Sequence, residues 1–236
     1  MANCITRHIP NAVTCANLFS GCIACVMAFR GNFEAAFLFI ILGAVFDFFD
    51  GMLARALKAY SPMGKELDSL ADDITFGLAP AMMAFRLLTC LSYPRFLEPI
   101  VIYLPYLAFF IAVFSALRLG KFNIDERQTS SFIGLPTPAN ALFWGSLCTG
   151  LIGWIGTLHA AWVLILGLIF LSCYLLTAEI PMFSLKFHDL KWSHNRWQFI
   201  FLAGCLVMLI FLGYASFAAI IVWYIILSIA HNFASR

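Results

Sequence analysis

The sequence predicts an all-α, polytopic membrane bundle, and three observations carry that prediction. Of 236 residues, 63% are hydrophobic and only 11% are charged, against about 25% charged in a typical soluble domain. The apolar residues fall in runs near the length of about 20 that a helix needs to cross the hydrocarbon layer. The basic residues are sorted between the ends of those runs.

Eight apolar segments follow one another, at about 11–29, 34–54, 69–91, 99–119, 139–156, 160–180, 197–213 and 215–231. The stretch MANCITRHIPN before the first shows no small-residue cleavage site, so we expect no removable signal peptide. Gly153-Trp154-Ile155-Gly156 and Gly213-Tyr214-Ala215-Ser216 read as tight surface turns. With no internal repeat or low-complexity linker, the expectation is one membrane domain over 1–236, the last two helices (about 197–231) being an addition to a six-helix core.

Eight spans put both termini on one side. That side then holds Arg7, Arg55, Lys58, Lys65, Arg118, Lys121, Arg127, Lys186, Lys191, Arg196 and Arg236, and the other holds Arg30, Arg86 and Arg95. Eleven against three is a strong positive-inside bias. It predicts cytosolic termini and an integral, multi-pass protein of the bacterial inner membrane type.

Other classes are disfavoured. A net charge of +2 gives no field for nucleic acid. The eight cysteines are scattered through apolar runs, without the spacing of a disulfide framework. Cys22 and Cys25 read as two small residues one helical turn apart. The five histidines form no zinc pattern.

The acidic residues are not spread evenly: of twelve, six lie from Asp47 to Asp73. Asp47 and Asp50 end the second segment, and Asp68 and Asp72 begin the third. Spacings of i, i+3 and i, i+4 put each pair on one helical face. A short loop around Tyr60-Ser61-Pro62 makes the two helices antiparallel neighbours, so four carboxylates converge near the cytosolic surface. Each costs about 2.5–3.5 kcal/mol at membrane depth, and together they repel. Oxygen-only ligands suit Mg²⁺, Mn²⁺ or Ca²⁺, and four carboxylates suggest two such ions, an arrangement suited to phosphoryl chemistry. Solvated helix caps would not need four aspartates on facing faces. Gly51 and Ala54 would let a phosphorylated ligand approach the backbone. Gly64 lies one turn before Asp68, and Arg55 could hold a phosphate oxygen.

The full string, Asp47-x2-Asp50-Gly51-x2-Ala54-Arg55-x8-Gly64-x3-Asp68-x3-Asp72, resembles the signature of the CDP-alcohol phosphatidyltransferases at all eight motif positions. The resemblance implies a CDP-linked lipid donor, a small alcohol acceptor, two divalent metal ions (Mg²⁺ or Mn²⁺, with Ca²⁺ an inhibitory occupant) and release of CMP. It also implies a homodimer, a six-helix catalytic core (about 1–180) and a polar cavity open to the cytosol. Carried over by position, Asp47, Asp50, Asp68 and Asp72 match the metal-site aspartates, and Asp72 also matches the general base. Gly51, Ala54, Arg55 and Gly64 match positions around the nucleotide and its diphosphate, where Asp50 also belongs. Asp73 lies one residue beyond the motif, about 100° round the helix, and reads as a polar neighbour.

Further segments resemble the phosphatidylserine synthase branch of that family. They are Ile9-Pro10-Asn11-Ala12-Val13-Thr14-Cys15-Ala16-Asn17-Leu18-Phe19-Ser20-Gly21, with Asn17 where glycerophosphate-using relatives often have Arg, Asp68-Ser69-Leu70-Ala71-Asp72-Asp73-Ile74-Thr75-Phe76-Gly77-Leu78-Ala79-Pro80-Ala81, Ala116-Leu117-Arg118-Leu119-Gly120-Lys121-Phe122-Asn123 and Phe132-Ile133-Gly134-Leu135-Pro136-Thr137-Pro138. Gly120-Lys121 departs from the branch's usual Ala-Arg but keeps the positive charge. Asn11 and Thr14, on one helix face, are expected to meet the cytosine ring. The implied reaction is CDP-diacylglycerol plus L-serine to phosphatidylserine and CMP. Serine's carboxylate needs donors near the metals, and Arg118, Lys121, Asn123 and Arg127 sit at the right end of the fourth segment. Bilayer lipid heads would also attract those cations. Rival readings are another acceptor in the same family, such as glycerol 3-phosphate or inositol phosphate, and an ion-coupled transporter. Phosphorylated acceptors would need a denser basic pocket, and a transporter would be expected to show repeats and broken helices.

Overall fold

A computed structural model describes residues 4–125, 133–158, 160–182 and 192–234. They form an all-helical bundle, with one isolated antiparallel bridge between Ile133 and Pro181 and no strand among the described residues.

Helix α1 (Cys4–Phe29) begins seven residues before the apolar run and carries Pro10 inside it. The Thr14 hydroxyl donates to the Pro10 carbonyl at 3.1 Å, the back-bond to i−4 that a threonine makes inside a helix. Asn11 is therefore an interior residue of α1. Helix α2 (Phe33–Ala56) is capped by Asn32, whose side chain accepts from the Ala35 amide.

The third unit starts earlier than its hydrophobicity suggests. Helix α3 (Pro62–Asp72) is capped by Ser61, which accepts from the Gly64 amide at 3.0 Å, with Pro62 in the first turn. This serine–proline start outweighs the polar residues 64–68, so the loop is only 57–61. A π-helical turn (Asp73–Leu78) follows directly, then α4 (Ala79–Thr89). Periodicity of 3.6 could not show that extra residue per turn.

The fourth unit lies later than expected. Pro94, Pro99 and Pro105 confine residues 95–109 to turns and 3₁₀ segments, and α5 spans Phe110–Ile124. Then come α6 (Thr137–Gly150), the short α7 (Ile152–Ile155), α8 (Ala161–Thr177), α9 (Trp192–Leu212) and α10 (Ser216–Ala234). The turn expected at 213–216 is present, with Gly213 at φ +52°. Among the described residues, four stretches are long and apolar enough to cross a membrane: His8–Phe29, Phe33–Ala56, Leu104–Ile124 and Asn195–Phe233, the last holding α9 and α10.

Helix α1 packs along α2 and against α3 and α4; α6 touches α2, α4 and α10; α5 rests on the π turn and α8. Trp144, Phe37, Phe76, Ile40 and Met83 fill the core, and the Trp144 indole donates to the Ser172 hydroxyl at 3.1 Å. The hairpin of α9 and α10 docks on α6, where one serine makes two hydrogen bonds to it. The Ser146 hydroxyl donates to the Tyr214 carbonyl at 2.6 Å and accepts from the Ala218 amide at 2.8 Å.

Candidate functional site

The site lies where the C-terminal end of α2 meets α3 and α1. Helical spacing brings Asp47 and Asp50 to the face of α2 that looks at α3, and Asp68 to the face of α3 that looks back. Each of these three offers a carboxylate oxygen, all within 4.8 Å of one another. Asp50 is buried at 6% exposure, and its Oδ2, like Asp68 Oδ1, is buried without a hydrogen-bond partner. Among the described residues no lysine or arginine forms an ion pair with any of the four motif aspartates. Buried like charges with orphaned oxygens and no protein cation form a set that a hard divalent cation would complete. The donor set fits Mg²⁺ or Mn²⁺: all oxygen, no sulfur and no imidazole.

Asp72 stands apart from that trio. It lies one turn beyond Asp68 and accepts from Asn17 Nδ2 at 3.2 Å. Its charged neighbours include Asp47, Asp68 and Asp50 and, from α5, the Arg118 guanidinium.

A cavity of about 460 Å³ opens beside the carboxylates. It is lined from α1 by Pro10, Asn11 and Thr14, from α2 by Asp50, Gly51 and Ala54, and from the loop and α3 by Ala59, Tyr60, Ser61, Pro62, Gly64, Lys65 and Asp68. That volume is in the range of about 300–1,000 Å³ usual for small-molecule sites. A Cβ on Gly51 would meet nothing within 4 Å, so the glycine leaves open space there; one on Gly64 would come within 3.0 Å of Asn11 Oδ1 and Ser61 Oγ. Of the residues expected around the nucleotide, Asn11, Thr14, Asp50, Gly51, Ala54 and Gly64 share this lining. Arg55 does not: it is exposed on the last turn of α2.

The expected acceptor residues separate. Arg118 is buried at 6% exposure, its Nε lacks a partner, and its guanidinium lies 5.5 Å from the centre of the Phe122 ring. Lys121 instead pairs with Glu179 at 3.1 Å. The Asn123 side-chain amide donates to Ser69 Oγ at 2.7 Å, and the main-chain carbonyl of Asn123 accepts from Lys65 Nζ at 2.9 Å. Arg127 lies outside the described residues.

Sequence reading missed Lys65 and Tyr60 in the cavity wall. Lys65 was findable, because 65, 68 and 72 share one helical stripe (i, i+3, i+7). It also missed Ser115, fully buried on α5 with an unpartnered hydroxyl, one turn before Arg118. Ser115 Cβ lies 3.0 Å from where a Cβ on Gly77 would be, so Gly77 is what lets α5 approach the π turn.

Comparison with known proteins places the chain among relatives. The profile of the CDP-alcohol phosphatidyltransferase family matches residues 7–174. A CDP-diacylglycerol–serine O-phosphatidyltransferase of Bacillus subtilis is 42% identical over 132 residues, which cover 56% of this chain and 70% of that protein. One from Saccharomyces cerevisiae is 35% identical over 147 residues, 56% of this chain and 50% of its own length. The archaetidylserine synthase of Methanothermobacter thermautotrophicus is 30% identical over 160 residues, 66% and 64% respectively. The chain thus spans from somewhat under half to 70% of the length of the curated relatives it matches.

Proposed function

This chain belongs to the CDP-alcohol phosphatidyltransferase family, and from that premise we propose that it transfers the phosphatidyl group of CDP-diacylglycerol to L-serine, giving phosphatidylserine and CMP. The observation that carries this reading is a cavity lined by Asp50 and Asp68 of a three-carboxylate cluster, with Asp72 one turn beyond Asp68 and the buried Arg118 among its charged neighbours. Serine is the acceptor because it is shared by the names of relatives that differ in their lipid.

In this reading Asn11 and Thr14 meet the cytosine end of the donor. Gly51, Ala54 and Gly64 leave room for its ribose and diphosphate, and Arg55 and Lys65 approach the phosphates from the rim. Asp47, Asp50, Asp68 and Asp72 hold two divalent ions, Mg²⁺ or Mn²⁺. Bound there, the ions would screen the diphosphate and stabilise charge on the transferred phosphate. Asp72 accepts the proton of the serine hydroxyl. The hydroxyl oxygen bonds to the phosphorus that carries diacylglycerol, the bond from that phosphorus to the bridging oxygen breaks, and CMP leaves. Arg118 holds the serine carboxylate through a charge-assisted pair. The core over about 1–180 does this chemistry as a homodimer, at the cytosolic face of a bacterial inner membrane, with the lipid tails leaving between helices into the bilayer.

The test is CMP release by purified protein given CDP-diacylglycerol, Mg²⁺ or Mn²⁺, and serine, glycerol 3-phosphate or inositol phosphate in turn. Serine alone should support release, with labelled serine passing into lipid. Release driven by a phosphorylated alcohol instead would replace serine as the acceptor. No release with any alcohol would remove the enzymatic reading. Asp72→Asn should abolish release while the protein stays folded.

A further inference from the structure

We propose that Asn17 is a positioning residue for Asp72, fixing the direction in which that carboxylate faces the acceptor. The inference deepens the reading above and rests on it.

Asp72 has the carboxylates of Asp47, Asp50 and Asp68 and the Arg118 guanidinium among its charged neighbours. A short side chain with two torsions needs a fixed partner to keep one orientation among them. Among the described residues its side-chain hydrogen bond is the one from Asn17 Nδ2 to Oδ1, at 3.2 Å. With Oδ1 held, the carboxylate plane is set and Oδ2 is left for the acceptor.

Asn17 is itself immobile. It is fully buried, and its main-chain carbonyl accepts from Thr75 Oγ1 at 3.1 Å. Thr75 is in the π turn that follows Asp72, so one residue of α1 is tied to both ends of the segment that carries the base. Two glycines make the approach possible. A Cβ on Gly21 would lie 2.8 Å from Thr75 Cα, and one on Gly43 would lie 2.9 Å from Asn17 Oδ1 and collide with Thr75 Cγ2. The π turn therefore packs close against α1, and α2 against both Thr75 and the Asn17 amide. Asn17 Oδ1 is buried without a partner, a destabilising feature that an apolar residue in a membrane helix would avoid. Packing alone gives no reason for an amide here; its N–H on Asp72 does.

The experiment compares Asn17→Leu, similar in size and suited to an apolar helix, and Asn17→Ala with wild type and Asp72→Asn. CMP release is followed against both substrates, and detergent-solubilised melting is recorded. Misplacement of a reacting group costs on the order of 100-fold, so both Asn17 variants should lose about that much in kcat, with KM for donor and serine within about twofold. A merely structural role would lower Tm and leave kcat. The proposal is overturned if a folded Asn17 variant keeps kcat within about threefold of wild type, if the loss is matched by a rise in donor KM, or if neither variant folds. If wild type releases no CMP, or Asp72→Asn remains active, the functional reading itself falls and takes this one with it. Wild type active, Asp72→Asn inactive and Asn17→Leu active would sink the Asn17 role alone.

Discussion

Lys121 Nζ lies 3.1 Å from Glu179 Oε1, joining the last turn of α5 to the chain beyond α8. The two side chains are 38% and 66% exposed, and pairs of that kind contribute about 0–1 kcal/mol. Lys121 is thus engaged away from Asp72, whereas Arg118, one turn earlier, is buried and faces it. Kinetics should separate the two. Lys121→Ala should change the serine KM less than about twofold. Arg118→Ala should raise it at least about tenfold, the value of a hydrogen bond to a charged group, with the donor KM unmoved. Equal effects on both KM values would take Arg118 out of the acceptor pocket.

Asp50 contributes a buried oxygen without a partner to the carboxylate trio. Asp50→Asn keeps the shape and removes the charge. We expect CMP release to fall about 100- to 1,000-fold, the loss typical of one electrostatic contact to the transition state, and the Mg²⁺ or Mn²⁺ concentration for half-activation to rise. Chelation of wild type should abolish release, and either ion should restore it. Wild-type activity that survives chelation would show that the carboxylates do not act through a metal.

Ser146 ties the C-terminal hairpin to the core through a donated and an accepted hydrogen bond. Ser146→Ala leaves the Tyr214 carbonyl and the Ala218 amide without that partner at a buried joint. A cost of about 1–3 kcal/mol follows, read as a lower Tm in detergent. CMP release at low temperature should stay near wild type, because the hairpin packs on α6, away from the carboxylates. Loss of release without loss of stability would place the hairpin in the reaction.

The all-helical fold and the facing aspartates were legible in the sequence because hydrophobic run length and helical spacing report them directly. Boundaries were less so. Ser61 and Pro62 start α3 within polar sequence, and the prolines at 94, 99 and 105 delay α5. In both places local capping and backbone chemistry overrule hydropathy. The π turn at Asp73–Leu78 leaves no trace in a 3.6-residue pattern. Asn17 was visible in a segment that resembles the phosphatidylserine synthase branch, but not as a partner of Asp72. Its bond to Asp72 spans 55 positions, and no local pattern encodes a contact of that range. Arg118, Lys121 and Asn123 looked equivalent in sequence, because which one is buried depends on neighbours contributed by α3 and the segment after α8.

Gly51 offers the cleanest separation of binding from folding. It lines the cavity, and a Cβ there would meet no protein atom within 4 Å. Gly51→Ala should therefore leave Tm unchanged, or raise it slightly as a helical alanine replaces glycine, worth about 0.5–1 kcal/mol. The added methyl occupies space that the donor's ribose and diphosphate need. Donor KM should rise about tenfold or more while serine KM stays level. Gly64→Ala behaves differently, since its Cβ would come within 3.0 Å of Asn11 Oδ1 and Ser61 Oγ. It should disturb the cap of α3, lowering Tm and donor affinity together. If Gly51→Ala left donor KM at the wild-type value, the cavity between α1, α2 and α3 would not be where the nucleotide binds.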